Sequence, residues 1–320
     1  MMRVGLVGIG DAGTHQARAL ASLHSGGELR WVATCARDRS KLEAFLSAHA
    51  ARPDMEAFTS LEALLAARGC DAVILATPDG FHVEQVRQVA GAGLHVLVEK
   101  PLALTLESGR QAVESARAAG VHLAVGYHLR HHAAHALMRA RLAELIGAPR
   151  SLFIRWAWPD PAIDGWRAKG EGARFWSLAA LGTHAIDLAL WLTGEAPSGV
   201  SGLTEPPTGV DRAAEVSFRL GPLLAHVSCA VTHRASSRVL LTGEKGELEA
   251  VGTLGARGDG ALLYRPPRGT PRPLAFELAD PYLSQLRDFV LRAPHGFEAD
   301  PAWLANLDVL ERLDSIRNGR

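Results

Sequence analysis

The triplet Glu99-Lys100-Pro101 carries the clearest sign of proton chemistry in the sequence. It directly follows an apolar run over residues 94–98, which predicts a lysine placed at the end of a buried strand. The chain has four lysines, at positions 41, 100, 169 and 245, against 30 arginines. Arginine keeps its proton near neutral pH, whereas a lysine can be tuned to release one. Lys100 is therefore a candidate proton carrier.

A glycine-rich turn near the start of the chain predicts a site for phosphate groups. Residues 8–13 read Gly-Ile-Gly-Asp-Ala-Gly and follow the apolar run over 3–7. This fits G-x-G-x-x-G between a strand and a helix, where the backbone can approach a pyrophosphate at the helix N-terminus. We expect Gly8, Gly10, Asp11, Ala12 and Gly13 to bind a dinucleotide.

The end of the second predicted strand bears on which dinucleotide that is. A carboxylate there would bind the ribose hydroxyls of NAD, whereas a small residue beside an arginine would accommodate the 2′-phosphate of NADP. Ala36 stands at the expected acidic position and Arg37 follows it. This favours NADP. A register shifted by two residues would make Asp38 the ribose ligand and NAD the cofactor.

Further residues fall at the edge where parallel α/β sheets bind ligands. Thr77 and Pro78 follow a predicted strand over 72–76, and Glu99 and Lys100 follow the next one. His82 begins the helix after Thr77-Pro78 and could line a nicotinamide site, or it could be a capping or solvated histidine. These five residues complete the predicted cofactor site.

Histidines dominate the candidate chemistry of the chain beyond residue 126. His184 and Asp187 are three residues apart and share one face of a predicted helix. A histidine near its ordinary pKa suits proton transfer. Histidines at 128, 131, 132 and 135 have the spacing of metal ligands on a helix, but the run contains no cysteine or carboxylate. We expect no metal there and a half-exposed helix start.

The bulk composition excludes several classes of protein. Lysine plus arginine equal aspartate plus glutamate at 34 each, so no basic surplus favours nucleic acid and no charge run favours a membrane. Cys35, Cys70 and Cys229 are scattered in apolar runs, as in a reduced cytoplasmic protein. The sequence opens on a strand pattern, which leads us to expect no secretory signal.

The order of predicted elements indicates two domains. Residues 1–125 alternate strands over 3–9, 29–35, 72–76, 94–98 and 121–125 with helices over 12–23, 40–50, 60–68, 80–92 and 106–119. That alternation predicts a doubly wound α/β domain with a parallel sheet, in which Ser60 caps a helix.

The sequence pattern of residues 126–320 predicts a second domain. It predicts helices over 130–146 and 179–192, strands over 151–158, 213–220, 223–231, 238–242 and 247–251, a surface loop over 255–273 and a helical tail. This second part is expected to be an α+β domain with an open, mostly antiparallel sheet.

Taken together, these motifs resemble the Gfo/Idh/MocA family, named for glucose–fructose oxidoreductase and inositol dehydrogenase. The resemblance covers nearly the whole chain. It rests on the glycine turn, Thr77-Pro78, the segment 96–101 and the Gly-x-His-x-x-Asp run that opens the segment 182–194. The segments 126–130 and 243–248 also fit the family pattern.

The resemblance implies a Rossmann domain, a second domain whose open sheet often joins subunits as a homodimer or homotetramer, and an active cleft between the domains. It implies that Lys100 is the catalytic lysine, that Pro101 follows a cis bond, and that His184 lines the substrate site. Tyr127, Arg167 and Asp187 are assigned to substrate binding. The implied reaction moves a hydride between NAD(P) and a hydroxyl carbon of a sugar-like or cyclitol-like small molecule.

The chain departs from the family at one position of consequence. Many dehydrogenases of the family carry an aspartate four residues before the histidine, and here that residue is Ala180. The tryptophans at 156, 158, 166 and 176, with Arg155 and Arg167, suggest a pocket for an anionic or ring-bearing substrate, or alternatively a packed dimer interface. Ala180 is also compatible with a second function, that of a non-catalytic sensor or scaffold that binds the dinucleotide. The family resemblance allows a third, that of a lyase or hydrolase that uses bound NAD.

Overall fold

The computed structural model describes residues 1–49, 54–160 and 175–319, which form two compact units. The first unit comprises Met1–Gly126 and Tyr282–Asp300, and the second comprises Tyr127–Pro281 and Pro301–Arg320. The helical tail is therefore divided, with one helix in each unit. None of the helices among the described residues combines the length and apolar character needed to cross a membrane.

The first unit is built on a parallel sheet of six described strands. Its strands are β1 (Arg3–Val7), β2 (Arg30–Cys35), β3 (Glu56–Phe58), β4 (Ala72–Leu75), β5 (His95–Val98) and β6 (Leu123–Val125). Its first helices are α1 (Asp11–Ser25), α2 (Arg39–His49), α3 (Leu61–Ala66), α4 (His82–Gly91) and α5 (Leu106–Ala119). The strand order is β3-β2-β1-β4-β5-β6, with every adjacent pair parallel.

Apolar runs explain why these strands lie inside the unit. All four residues of β4 are buried, because helices cover both faces of a parallel sheet and leave no face for water. The chain order reverses between β1 and β4, and doubly wound sheets bind ligands beyond the carboxyl ends of strands at such a point. The predicted cap is confirmed: the Ser60 hydroxyl accepts a 3.2 Å hydrogen bond from the Ala63 amide at the start of α3.

The second unit combines helices with a mixed sheet of eight described strands. Its strands are β7 (Pro149–Ala157), β8 (Pro197–Glu205), β9 (Ala213–Leu220), β10 (Leu223–Ala230), β11 (Arg238–Gly243), β12 (Gly246–Val251), β13 (Ala261–Arg265) and β14 (Arg272–Pro273). The helices that follow α5 along the chain are α6 (Ala133–Ile146), α7 (Thr183–Thr193), α8 (Pro281–Arg292) and α9 (Pro301–Arg317), of which α8 belongs to the first unit. The strand order is β14-β13-β12-β11-β7-β10-β9-β8.

One face of this sheet packs on the core and the other is open. Alternate residues of β9 are buried, including Val216 and Phe218, which pack beneath α7 and α9 in one apolar cluster. On the other face, the His226 ring stacks on Phe153 at 5.6 Å and contacts Glu215 at 2.8 Å. Among the described strands of this second sheet, only β7 and β10 pair in parallel. The predicted α/β doubly wound domain with a second, mostly antiparallel α+β domain is confirmed.

Several elements differ from the sequence prediction for identifiable reasons. β3 was missed because it is a three-residue edge strand. β8 was missed because its Ser- and Gly-rich sequence lacks a strand pattern, and it forms through pairing with β9. β13 lies inside the predicted loop over 255–273. The prediction that the cysteines are core residues is confirmed, because Cys35, Cys70 and Cys229 are all buried.

Candidate functional site

The glycine turn between β1 and α1 contains two glycines that the fold requires and one that it does not require. Gly8 has a φ of 101°, and a Cβ there would overlap the carbonyl oxygen of Ala76. A Cβ on Gly13 would overlap the carbonyl oxygen of Gly8. A Cβ on Gly10 would meet nothing within 4 Å. The protein's own packing therefore explains Gly8 and Gly13, whereas the space above Gly10 suits a ligand that approaches the backbone.

The start of α1 is suited to an anion. Gly10 is the N-cap of α1 and has no side chain with which to bind the first-turn amides, and Asp11 and Ala12 open the helix. Helix N-termini present N–H groups and a partial positive charge to phosphate. The residues present therefore fit the pyrophosphate of a dinucleotide.

We expect the glycines of this turn to respond differently to a methyl group. Gly10→Ala should leave the thermal unfolding midpoint within a few degrees of wild type, yet weaken dinucleotide binding at least about tenfold, because the methyl occupies the phosphate approach. Gly8→Ala should be destabilised by about 1–3 kcal/mol or more from backbone strain alone. Thermal unfolding and fluorescence titration measure the two effects. Wild-type affinity in Gly10→Ala would contradict this role for the turn.

The end of β2 places an arginine and an aspartate in different surroundings. The guanidinium carbon of Arg37 lies 5.9 Å from the centre of the Phe81 ring, and Phe81 is half exposed. The Asp38 carboxylate accepts a 3.0 Å hydrogen bond from the Lys41 amide at the start of α2. Asp38 therefore serves as a local cap, while Ala36 bonds through its amide to the Phe58 carbonyl at 3.1 Å.

His82 links two of the predicted cofactor-binding segments. It begins α4, as predicted, and its ring is fully buried rather than solvated. One ring nitrogen lies 2.8 Å from the carbonyl oxygen of Pro101 and the other lies 2.8 Å from that of Thr77. Pro78 caps the short turn that precedes α4. The contacts of His82 hold the loop after β4 against the loop that carries Lys100.

Glu99 is tied into the protein, and Lys100 follows it. The Glu99 carboxylate is buried and accepts a 2.9 Å hydrogen bond from the Gln16 side chain on α1. A Cβ on Gly126 would come within 2.8 Å of the same carboxylate, which explains the glycine there. Lys100 is partly exposed and precedes a cis peptide bond to Pro101. Sequence reasoning missed Gln16, which links the glycine-turn helix to the segment that carries Lys100.

In the second unit, His184 lies in an aromatic enclosure. It is 3% exposed and sits at the start of α7. The Tyr127 and His128 rings meet it edge-on, at centroid distances of 5.9 and 4.7 Å, and the Trp156 ring lies 5.8 Å away. Tyr127 and His128 are neighbours in sequence, so one short segment forms two walls around His184.

Asp187 is engaged by an arginine rather than open to a ligand. Both of its carboxylate oxygens accept hydrogen bonds from the Arg130 guanidinium, one of them at 2.7 Å from Nε. The pair is almost fully buried. Removing one partner of such a pair leaves an uncompensated buried charge. The prediction that Asp187 binds substrate is therefore less well supported by this geometry than a role in holding Arg130.

The remaining predicted substrate residues lie in different places. Arg167 and Trp166 fall outside the described residues. Trp158 is half exposed with the Arg234 guanidinium 3.9 Å above its ring, and Arg155 bonds to the Ser236 carbonyl at 3.3 Å. Among the predicted tryptophans that the structure describes, Trp156 is therefore the only one whose ring contacts the His184 ring.

Sequence reasoning missed a buried aspartate that organises the segment before α7. The Asp211 carboxylate accepts hydrogen bonds from the amides of Trp176 and Leu178, at 2.7 and 3.0 Å, and from the Ser177 hydroxyl. Burial raises the pKa of Asp211 above its ordinary value. A single turn of π-helix, Leu178–Gly182, follows and contains Ala180. No local sequence pattern predicts this role of Asp211, because its hydrogen-bond partners lie more than 30 residues earlier in the chain.

The expected half-exposed run of histidines is wrong for three of the four. His128, His132 and His135 are buried, and their rings contact the segment after β12. Their Nε2 atoms lie 3.1 Å from the Gly255 carbonyl, 3.0 Å from the Asp259 carbonyl and 2.9 Å from the Thr253 hydroxyl, respectively. Burial lowers the pKa of His135 to about 3. The run is thus a buried hydrogen-bonded cluster, which its polar composition concealed.

The comparisons with known proteins agree with this architecture. Residues 2–127 match the family model described as "Oxidoreductase family, NAD-binding Rossmann fold", and residues 132–249 match the Gfo/Idh/MocA C-terminal domain. The chain belongs to the Gfo/Idh/MocA oxidoreductase family. Membership confirms an NAD(P)-binding Rossmann domain as the class of the first unit.

Relatives of this Gfo/Idh/MocA chain include curated reductases and solved structures. A 1,5-anhydro-D-fructose reductase of Ensifer adhaerens is 38% identical over 44% of this chain and 43% of its own length. A dTDP-3,4-didehydro-2,6-dideoxy-alpha-D-glucose 3-reductase of Saccharopolyspora spinosa is 30% identical over 77% of this chain and 74% of its own. The match thus spans less than half of the first relative. The aldose-aldose oxidoreductase structure from Caulobacter crescentus has a TM-score of 0.87 at 20% identity, covering 100% of this chain and 98% of that one, which shows the shared fold.

Proposed function

We propose that this chain is an NADP-preferring oxidoreductase that transfers a hydride between nicotinamide and a carbonyl or secondary alcohol of a sugar-like or cyclitol-like small molecule. The observation that carries the proposal is the placement of an open glycine turn and of Lys100 beyond the carboxyl ends of strands of one parallel sheet. The two curated relatives are named as reductases of sugar compounds, which supports the substrate class.

In the first unit, different residues bind the dinucleotide and transfer the proton. The turn at Gly10 and the start of α1 would hold the pyrophosphate, and Arg37 would face the 2′-phosphate. When bound, the dinucleotide supplies the hydride acceptor or donor. Lys100 exchanges a proton with the hydroxyl or carbonyl oxygen of the substrate, because reduction and oxidation at that carbon each require one. The bond from Gln16 to Glu99 steadies the segment in which Lys100 stands.

In the second unit, His184 is the residue we assign to the substrate. Its imidazole can donate or accept a hydrogen bond to a substrate hydroxyl, while the rings of Tyr127, His128 and Trp156 limit its movement and its contact with water.

We also propose that the open face of the second unit's sheet joins two copies of the chain as a homodimer or a pair of dimers. Leu224 on β10 is 55% exposed, beside the stacked Phe153 and His226. Exposed apolar residues together on a sheet face favour a protein partner. The three buried free cysteines favour a reducing, cytoplasmic location.

The preference for NADP is tested by fluorescence titration of the purified protein with NADPH and with NADH. We expect NADPH to bind more tightly, and Arg37→Gln to weaken NADPH about tenfold to a hundredfold while leaving NADH unchanged, because hydrogen bonds to charged groups contribute roughly 1.5–3 kcal/mol. Asp38→Asn is the matched control, since Asp38 caps α2 and should not affect this ratio.

Each other result of the titration has a definite meaning. Tighter NADH binding, lost in Asp38→Asn, would move the ribose contact to Asp38 and reverse the cofactor preference. If neither nucleotide binds a folded sample that carries no nucleotide from purification, the oxidoreductase proposal fails.

A further inference from the structure

A buried chain of hydrogen bonds joins the last helix to the residues beside His184. Asn306 on α9 is fully buried, and its side-chain amide donates to the Thr183 carbonyl at 2.7 Å. Its carbonyl oxygen accepts from the Thr183 hydroxyl at 2.9 Å. An amide nitrogen cannot accept a hydrogen bond, so the contact with the backbone carbonyl fixes the orientation of the Asn306 amide.

That orientation determines the direction of the next bond in the chain. The Thr183 hydroxyl has one hydrogen, and Asn306 receives it. The Tyr127 hydroxyl lies 3.1 Å from the same Thr183 oxygen, so Tyr127 must donate and Thr183 must accept. Tyr127 is 1% exposed, and its phenol hydrogen is directed to Thr183 rather than offered to a substrate.

The two ends of this chain flank His184. Thr183 is the first residue of α7 and precedes His184 directly, so it fixes the backbone. The Tyr127 ring meets the His184 ring edge-on, with planes at 84°, so it fixes the side chain. A mispositioned catalytic group can cost about 10²-fold in rate when the shift is near 1 Å, which makes such fixation worth measuring.

We infer that Asn306 is a positioning residue for His184, acting through Thr183 and Tyr127. This inference rests on the proposed function, and it replaces the prediction that Tyr127 contacts the substrate directly. It gives the final helix a role in the site although Asn306 lies 123 residues from Thr183. Fully satisfied buried networks of this kind specify a single arrangement, because a partly broken one leaves costly unpaired groups.

The test compares variants that break the chain at each of its bonds. Thr183→Val keeps the shape and removes the hydroxyl, Tyr127→Phe removes only the phenol, and Asn306→Leu removes both amide contacts. Thr183→Ser retains the hydroxyl and should restore the wild-type behaviour. Thr193→Val, the same change at the far end of α7, is the matched control, since the Thr193 hydroxyl bonds only to its own helix and its C-terminal turn.

Two measurements are made on each variant. The first is the histidine ring signal of His184 in NMR spectra of the nucleotide-free protein, assigned with His184→Gln and followed against pH. The second is the pH profile of kcat, with KM for the nucleotide. We expect Thr183→Val, Tyr127→Phe and Asn306→Leu to displace or broaden the His184 signal and lower kcat about tenfold to a hundredfold with unchanged nucleotide KM. The double variant Tyr127→Phe/Thr183→Val should be no worse than Thr183→Val alone.

The outcomes separate this inference from its alternatives. A His184 signal in Thr183→Val that matches Thr193→Val would overturn it. Loss of activity in Tyr127→Phe alone, with Thr183→Val and Asn306→Leu normal, would return Tyr127 to direct substrate contact and also overturn it. If Thr183→Val does not fold, Tyr127→Phe carries the test, because it leaves both Asn306 bonds intact. A wild-type protein without turnover on any carbonyl substrate would count against the proposed function, while the NMR comparison would still decide the positioning role.

Discussion

Lys100→Met is expected to lower turnover by about 10²–10⁴-fold while NADPH binds as in wild type, because positioned proton transfer contributes a factor of that size. Lys100 directly follows Glu99, which Gln16 anchors to the helix of the glycine turn. Methionine matches the length of the lysine stem and cannot carry the proton. Steady-state turnover and fluorescence titration of the same samples separate catalysis from binding.

Two further variants sharpen this result. Lys100→Arg preserves the charge but holds its proton too tightly, so it should lose nearly as much turnover as Lys100→Met. Lys245→Met is the matched control, because Lys245 is an exposed lysine in the turn between β11 and β12. Near-normal turnover in Lys100→Met would remove Lys100 from the mechanism.

The second unit is expected to lose about 2 kcal/mol of unfolding free energy between pH 7.5 and pH 5 through His135 alone. Burial, followed by the nearby His132, lowers the pKa of His135 from 6.5 to about 3. The unfolded chain therefore binds a proton in a range where the folded chain does not. Stability is complete above about pH 6.5 and falls progressively towards pH 3.

The hydrogen bonds of His135 give the physical reason for its neutral state. Its Nδ1 donates to the Leu129 carbonyl at 2.8 Å, and its Nε2 lies 2.9 Å from the Thr253 hydroxyl, so a neutral ring satisfies both partners. Burial also lowers the pKa of His132, the N-cap of α6, whose Nδ1 accepts from the Ala134 amide. Protonation of either ring is therefore unfavourable in the folded chain, and His132 adds to the loss of unfolding free energy at low pH.

Hydrogen–deuterium exchange of the α6 amides, corrected for the intrinsic rate at each pH, measures this loss within the second unit. At pH 5 the carboxylates of ordinary pKa remain mostly ionised, so the histidines dominate the change. His135→Gln should be less stable at pH 7.5, because it loses the bond to Leu129, but should lose about 2 kcal/mol less on acidification. An unchanged pH dependence in His135→Gln would contradict the assignment.

Local patterns in the sequence were sufficient for much of the fold. Apolar runs of strand length separated by helix-period segments predicted the parallel sheet, and Ser60 was identified as a cap because a cap depends on residues three apart. The sequence pattern failed at β8, where pairing with β9 overrides a Ser- and Gly-rich composition. It also failed at His128, His132 and His135, because a histidine pattern does not show which groups elsewhere in the chain will form hydrogen bonds with the rings.

The sequence by itself determined the family, the glycine turn and the position of Lys100 at a strand end, because each depends on residues within one short segment. Only the tertiary structure decided which polar groups hold these segments in place. Gln16 and Glu99 are 83 residues apart, and Thr183 and Asn306 are 123 apart. A buried donor needs an acceptor whose position is set by how distant elements pack, and that packing is not encoded in any local spacing.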